Sequence, residues 1–327
     1  MKLRSFLMLG GLALAFFTVQ PANAAQEDFR SWLDDTRQMA LKKGISPETV
    51  NEALHAGVQP IERIIELDRK QPEGKISFAQ YRQNIVNDLR IQKGRQMMRE
   101  HHALLNEVSE KYGVQPQYIV ALWGIETNYG GFTGGYDVVT ALATLAYDGR
   151  RRDFFTDELM KALQILDEGH IKHEDMKGSW AGAMGQSQFM PSSFLNFAED
   201  FNGDGRRDIW NTKADVFASA ANYLSKSGWT ADERWGRLVE VPDSLARAHF
   251  GLDTDKTLAE WQQLGVRRAN GRDLPDVADM TASLVQPDGQ GNSAYLVYNN
   301  YDVIMKWNRS TYFATSVGLL ADAIAYY

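Results

Sequence analysis

The sequence predicts a mainly α protein of the α+β class, a helical body with flanking helices and one small β-containing insertion. Three observations carry this. Apolar residues recur at helical spacing, punctuated by Gly and Pro signals, up to about Trp235. The texture then changes to short β-prone runs between Gly, Pro and Asn clusters. After Ser310, a plausible helix cap, an apolar helical pattern returns and closes the chain.

The first residues are expected to lie outside the fold. Lys2 and Arg4 form a positive segment, and Phe6 to Val19 is an apolar run too short to span a bilayer comfortably. Pro21-Ala22-Asn23-Ala24 then supplies an A-x-A site, predicting a signal peptide over 1–24 cleaved before Ala25. An uncleaved anchor is the alternative. No second long apolar run follows, so the mature chain is expected to be exported and soluble.

The helices follow in order. Phe29, Trp32 and Leu33 recur at i, i+3 and i+4, with Gly44 as a stop. Ser46-Pro47-Glu48 reads as a cap followed by Pro at the first helical position. One long helix is predicted from about Phe78 to Tyr112, ending at Gly113. Pro116 opens the next, which carries Glu126. Further helices fit Arg152 to Glu168, Ser192 to Asp200 and Ala214 to Ser227. Beyond Trp235 the β-prone runs are Arg237 to Val241, Tyr295 to Tyr298 and Val303 to Met305, interrupted by a helical piece near Leu258 to Leu264. That region is longer than an ordinary loop. The small and apolar residues of the last helix (Ala314, Val317, Leu320, Ala321, Ile324) predict docking onto the helical body.

Composition excludes several functions. The chain has no cysteine, hence no disulfide, no thiolate metal site and no lipidated N-terminal Cys. Its formal charge of −7 becomes −9 once Lys2 and Arg4 leave with the signal peptide. An acidic exported chain is a poor partner for nucleic acid or anionic membrane surfaces, and no stable membrane anchor is expected.

Glu126 is the most informative residue. It is one carboxylate in an apolar helical stretch, Ala121 to Gly130, that ends at a glycine-rich break. Burial would raise its pKa toward neutrality, where a carboxyl can give a proton and take one back. A helix-terminal Glu that simply reaches solvent is the plainer alternative. A second cluster runs Gly178-Ser179-Trp180-Ala181-Gly182-Ala183-Met184-Gly185-Gln186-Ser187-Gln188-Phe189-Met190-Pro191-Ser192-Ser193. Small residues there let backbone approach a ligand, and Ser179 and Gln188 offer neutral hydrogen bonds suited to sugars. A tight inter-helix crossover is the alternative.

Gly124-Ile125-Glu126-Thr127, the Ala183-Met184-Gly185-x-x-Gln188-Phe189-Met190-Pro191-Ser192-Ser193 run and Ala221-Asn222-Tyr223-Leu224 together resemble the lytic murein transglycosylase B family. These are lysozyme-like peptidoglycan lyases of glycoside hydrolase family 103. The resemblance extends from Phe78-x-x-Tyr81-Arg82 to Asn308-Arg309-Ser310. It implies a lysozyme-like core over 113–235, an N-terminal helical region over 25–112, a β-containing subdomain over 236–306 and a C-terminal helix over 307–327. It implies Glu126 as the sole catalytic carboxylate, with no cofactor required. The implied glycan groove includes Tyr81, Arg150, Arg151, Ser179, Gln188, Phe189, Tyr223 and Asn308. Trp307 and Phe313 stand where better-known members have Tyr; both keep an aromatic face, and the phenol hydrogen bonds are expected to be lost.

The implied reaction cleaves the MurNAc–GlcNAc bond without water and leaves a 1,6-anhydro end. Ordinary glycosidases need two carboxylates, whereas substrate-assisted ones use the sugar's N-acetyl group. Asp137, Asp148 and Glu174 lie nearby in sequence, but none sits in a motif assignable as a second catalyst. A muramidase hydrolysing the same bond and a non-catalytic peptidoglycan-binding scaffold are the rival readings. The expected partner is the peptidoglycan strand, in the periplasm. Cell-wall synthesis or division proteins are compatible partners that no motif reads.

Two further clusters stay open. Asp200-Phe201-Asn202-Gly203-Asp204-Gly205-Arg206 begins like a calcium loop, with oxygen ligands at positions 1, 3 and 5 and Gly at 6. Position 12 is Asn211, so the ordinary motif fails. Some family members use a longer loop closed by an Asp, which makes Asp215 the last ligand and Arg206 a carbonyl donor for a structural calcium ion. An Asx-rich turn is the alternative. Arg150-Arg151-Arg152 is the most concentrated positive patch, either a contact for peptidoglycan carboxylates or a solvated helix start. The family match favours contact for Arg150 and Arg151. His170 and His173 lack the order of a zinc motif, and Gly130 to Gly135 lacks the Lys of a P-loop.

Overall fold

The computed structural model describes residues 22–70, 76–289 and 293–325, with side chains from Asp28 onward. The proposed signal peptide lies outside these residues over 1–21. Helix α1 (Ala22–Lys42) buries Phe29, Leu33 and Ala40 and ends before Gly44, whose φ of 92° turns the chain. In α2 (Pro47–Ala53), Ser46 caps the Thr49 amide and Pro47 takes the first position. Ser46 and Thr49 hydroxyls also donate to Asp167, fixing this corner. Helix α3 (Glu62–Arg69) follows.

The single long helix expected over Phe78 to Tyr112 is instead three: α4 (Phe78–Ile85), α5 (Asp88–Glu100) and α6 (His102–Tyr112). The cause is local. Asn87 adopts extended backbone and its side chain accepts the Arg90 amide, restarting the helix. His101 leaves helical geometry at φ −108°, ψ 18°. Apolar spacing alone does not register a one-residue capping break.

Helix α7 (Pro116–Thr127) has every residue from Tyr118 to Gly124 buried. It is apolar all round because α5, α6, α11 (Lys213–Lys226) and α14 (Thr311–Ala325) pack about it. A two-residue strand β1 (Tyr136–Asp137) leads into α8 (Val138–Asp148), then α9 (Arg152–Asp167). Strand β2 (Lys177–Gly178) pairs antiparallel with β1, and α10 (Pro191–Phe197) precedes α11. This miniature β1–β2 pair has no sequence signal.

The insertion is a five-stranded antiparallel sheet. Its strands are β3 (Gly236–Glu240), β4 (Gly251–Thr257), β5 (Arg267–Arg268), β6 (Thr281–Val285) and β7 (Ala294–Val297), in the order β4-β6-β7-β3-β5. Helix α12 (Leu258–Gln263), started by a Thr257–Glu260 capping box, buries Trp261 beneath it. Val239, Leu284, Leu296 and Tyr298 complete a separate small core.

The β-prone run Val303 to Met305 is not a strand. It lies in α13 (Asn299–Trp307), which packs on α11 and α14. The buried Asn300 amide donates to the Thr230 and Glu233 carbonyls and anchors the helix start. Three apolar residues cannot distinguish the two periods by themselves. Ser310 does cap α14, accepting the Phe313 amide at 3.3 Å.

The helical body therefore holds two apolar clusters. One surrounds α7, α11 and α14; the other is built by α8, α9 and α10 with α1 and α2. Tyr223 and Trp307 pack against both, and the Gly178–Pro191 loop contributes Met184 and Phe189 to the second. The seam between the clusters is where the candidate site forms.

Candidate active site

Glu126 occupies the last turn of α7. The helix stops there because Asn128 and Tyr129 both take left-handed backbone, at φ 51° and 61°. The chain doubles back, and the Tyr129 ring lies against the helix at Gly124. A Cβ at Gly124 would sit 2.6 Å from that ring, so only glycine fits two residues before the carboxylate. Tyr129 is held by donating to the Arg90 carbonyl at 2.6 Å.

The Glu126 carboxyl faces a small cavity lined by Ile119, Leu122, Trp123, Gln186, Ser187, Val216, Phe217, Ala220 and Trp307. Burial among these walls pushes its pKa up to about 7, and one hydrogen bond from Trp307 opposes the rise. Trp307 Nε1 donates to Glu126 Oε1 at 2.8 Å. Replacement of the family's tyrosine by Trp307 was expected to cost a hydrogen bond. The indole N–H instead makes one, to the carboxylate itself. The cavity contains no other carboxylate.

The nearby acids are occupied elsewhere. Asp137 caps α8 through the Thr140 amide. Although burial works to raise its pKa, hydrogen bonds from His173 and from Thr140 hold it at about 2. Asp148 pairs with Arg69 at 2.7 Å. Glu174 is exposed, beside Lys172.

The small-residue motif is bolted to α7 by residues that the sequence reading passed over. Trp123 Nε1 donates to Gln186 Oε1 at 2.9 Å, and Lys213 Nζ donates to the same oxygen at 3.0 Å. Gln186 Nε2 donates to the Trp210 carbonyl at 2.6 Å. Thr127 Oγ1 donates to the Gln186 carbonyl at 3.1 Å. Buried Gln186 thus joins α7, the motif loop and the start of α11. Its place inside the quoted motif was the available signal, but neither spacing nor burial of one Gln is legible without its partners.

The other expected site residues fall at different depths. Ser179 is part-buried, its Oγ accepting the Ala183 amide, and so shapes the loop. Gln188 sits at φ 49° and donates to the Thr133 and Gly185 carbonyls, tying the motif to the glycine-rich turn. Phe189 is buried against Trp307 (ring centroids 5.3 Å) and Tyr223 (5.9 Å). Tyr223 and Trp307 are 4.8 Å apart. Asn308 is exposed beside this cluster, and Tyr81 meets Tyr312 at 5.7 Å. Phe313 is only 4% exposed and belongs to the core of the α14 side, so it presents no open face to a sugar here.

Arg150 and Arg151 converge on Asp68. Arg150 makes a two-pronged contact with the buried carboxylate, and Arg151 lies 3.4 Å from it. The Arg150 hydrogen bond is the main cause holding Asp68 below its ordinary pKa. Arg151 also lies over the Phe155 ring, 4.6 Å from its centre. Neither lines the Glu126 cavity.

The Asp200 loop lies between α10 and α11. Asp200 accepts the Gly203, Asp204 and Gly205 amides, Asn202 accepts the Asp204 amide, and Asp204 accepts the Arg206 amide. Buried Asp215 accepts the Phe201 and Asp208 amides, and burial raises its pKa. The donors are all oxygen, which suits calcium chemically. As folded, their oxygens are committed to an Asx-turn network. No group of three or more His, Asp or Glu is gathered as a metal cluster among the described residues. No helix among them is long and apolar enough to cross a membrane.

The chain is similar to several known proteins. The transglycosylase SLT domain family matches residues 28–322. The membrane-bound lytic murein transglycosylase B of Escherichia coli (strain K12) is 31% identical over 259 residues, covering 78% of this chain and 70% of that one. Pseudomonas aeruginosa SltB3, solved in complex with NAG-NAM-pentapeptide, superposes with a TM-score of 0.89 at 43% identity, covering 91% of this chain and 80% of that one. Escherichia coli Slt35, solved in complex with calcium, gives a TM-score of 0.77 at 28% identity, covering 92% of both chains.

Proposed function

Because this chain belongs to the transglycosylase SLT domain family and is a lytic murein transglycosylase, we propose that Glu126 is its single acid and base. The observation that carries this reading is the half-buried Glu126 carboxyl, raised to about 7 and facing a cavity without a second carboxylate. A group of that pKa is part protonated near neutrality and can serve in both directions.

The steps follow from one carboxyl. Protonated Glu126 delivers its proton to the oxygen linking MurNAc to GlcNAc, and the bond from that oxygen to the MurNAc anomeric carbon breaks. The MurNAc N-acetyl oxygen supports the positive charge that develops at that carbon. Glu126, now a carboxylate, accepts the proton of the C6 hydroxyl of the same sugar. The C6 oxygen closes on the anomeric carbon, giving the 1,6-anhydro ring and returning the proton to Glu126. No water enters.

The glycan is proposed to run across Tyr81, Ser179, Gln188, Tyr223, Trp307 and Asn308. Arg150 and Arg151 are proposed to meet carboxylates of the polymer at their outward faces, in competition with Asp68. Phe189 supports the groove from beneath. The chain is proposed to act in the periplasm on peptidoglycan strands after export. The Asp200 loop, with Asn202, Asp204, the Arg206 carbonyl and Asp215, is proposed to accept calcium in a structural role.

The test is turnover of purified sacculi with mass analysis of the products. Glu126→Gln should fold and bind but lose about 10²–10⁴-fold or more in rate, the contribution of a general acid/base. Products one water heavier than the anhydro form would identify hydrolysis. Undiminished turnover in the Gln variant would remove Glu126 from the mechanism.

A further inference from the structure

Resting on the assignment of Glu126, we propose that Trp307 is a positioning residue whose indole N–H holds Glu126 Oε1 as a permanent acceptor and so commits the transferable proton to Oε2. The contact is direct, Nε1 to Oε1 at 2.8 Å, and joins residues 181 positions apart in the chain. An indole nitrogen donates and never accepts. Oε1 therefore faces a donor whether Glu126 is ionised or protonated. In the carboxylic acid, the hydroxyl hydrogen cannot lie along the Oε1–Nε1 line, which the indole hydrogen already occupies. The carbonyl oxygen is the better acceptor, so it takes the Oε1 place and the proton resides on Oε2.

The rest of the site makes this arrangement specific. Among the described residues, Trp307 is the sole hydrogen-bond partner of the Glu126 carboxyl. The apolar walls, Ile119, Leu122, Val216, Phe217 and Ala220, offer no donor, and the buried Ser187 hydroxyl that also lines the cavity makes no hydrogen bond to the carboxyl or to any other described group. The indole is itself fixed. It is packed edgewise against Tyr223 and tilted against Phe189. Tyr223 in turn donates its hydroxyl to the carbonyl of Lys306, the residue before Trp307, at 2.7 Å. The order of control runs from α11 through the end of α13 to the carboxylate on α7.

A tyrosine at this position would act differently. A phenol both donates and accepts, so it does not force one oxygen to remain an acceptor. Trp307 thus narrows Glu126 to one proton-carrying oxygen, and it favours the carboxylate formed after the first proton transfer.

The experiment measures kcat/KM and kcat against pH, on a soluble peptidoglycan fragment, for the whole protein and two variants. One is Trp307→Phe. The other replaces Trp307 by 3-benzothienylalanine, which keeps the ring outline and puts sulfur in place of N–H. The alkaline limb of kcat/KM reports loss of the Glu126 proton in the free enzyme. Removing a donor to a carboxylate should move that limb upward by about one pH unit, the size expected for one charge-assisted hydrogen bond. The isostere should lower kcat and leave KM nearly unchanged, since its ring still packs. Should Trp307→Phe fail to fold, the isostere carries the comparison. An unshifted limb with unchanged kcat in the folded isostere would overturn the proposal while leaving Glu126 as catalyst. Retained turnover in Glu126→Gln would instead overturn the underlying acid–base assignment.

Discussion

Replacing Glu126 by Gln should stabilise the protein at alkaline pH and scarcely change it at acid pH. Burial raises this carboxyl from the ordinary 4.5 to about 7, so the folded state holds the proton more tightly than the unfolded state. Stability is then undiminished below the unfolded value, falls as pH rises between the two values, and stays lower above the folded one. A difference of about 2.5 pH units, at about 1.36 kcal/mol each, corresponds to a cost of about 3 kcal/mol at full ionisation. Gln carries no charge at any pH, and its side-chain carbonyl can still accept the Trp307 N–H. The assay is urea unfolding of both proteins at about pH 5 and about pH 8, where the cost is respectively mostly absent and nearly complete. The Gln variant should gain on the wild type by about 2–3 kcal/mol between the two conditions. A stability difference that does not grow with pH would refute the claim that burial holds a destabilised carboxylate here. So would a difference that reverses.

Gln186→Leu should remove the partner of the Trp123 indole, the Trp210 carbonyl and the Lys213 ammonium together. At about 1–3 kcal/mol for each of the two buried groups left unpaired, the Trp123 indole and the Trp210 carbonyl, the unfolding free energy should drop by at least about 2 kcal/mol, and a loss under about 1 kcal/mol would show that the joint is not needed. Gly124→Ala places a Cβ 2.6 Å from the Tyr129 ring, so denaturant unfolding should show about 1–3 kcal/mol of overpacking and turnover should fall further than stability does; a neutral variant would mean the Tyr129 turn yields freely. Calcium, if the Asp200 loop takes it, should raise the melting temperature by an increment that Asp204→Ala abolishes, equivalent to about 2.7 kcal/mol at a hundredfold excess over Kd, and should leave room-temperature turnover nearly unchanged. A melting temperature identical in saturating calcium and in chelator would leave the loop an Asx turn.

What the sequence could and could not convey follows the range of the forces involved. Ser46-Pro47, Gly113 and Ser310 act within one helical turn, and each is found terminating or starting a helix as read. Glu126 stood out because a lone carboxylate in an apolar helix is a local anomaly. The three-way split of the Phe78 to Tyr112 segment is illegible because the Asn87 cap and the non-helical turn at His101 decide it against a continuing apolar pattern. Val303 to Met305 reads as strand until Asn300 and the faces of α11 and α14 are known. Gln186 was hidden for a different reason. It needs Trp123, Trp210 and Lys213 from three other segments, and nothing in a single sequence announces that four residues meet. The Trp307 contact is the extreme case, since its partner lies 181 residues away.

That contact also bears on a tension in the one-carboxylate mechanism proposed for Glu126. As an acid, Glu126 benefits from a high pKa, which burial among Ile119, Leu122 and Phe217 provides. In its proposed second role, as a base, it must exist as a carboxylate in the same apolar cavity, where an unassisted charge is costly. A donor that strengthens when the charge appears serves the second state more than the first. The indole of Trp307 is such a donor, and it pulls the pKa back from the value that burial alone would set. The balance lands near 7, where neither protonation state is far out of reach and both proton transfers can use one group. The two opposing influences come from different parts of the chain, burial from α7 and α11 and the donor from the end of α13. Small shifts of α13 relative to α7 would therefore change the acid and base strength of Glu126 without touching the residue itself.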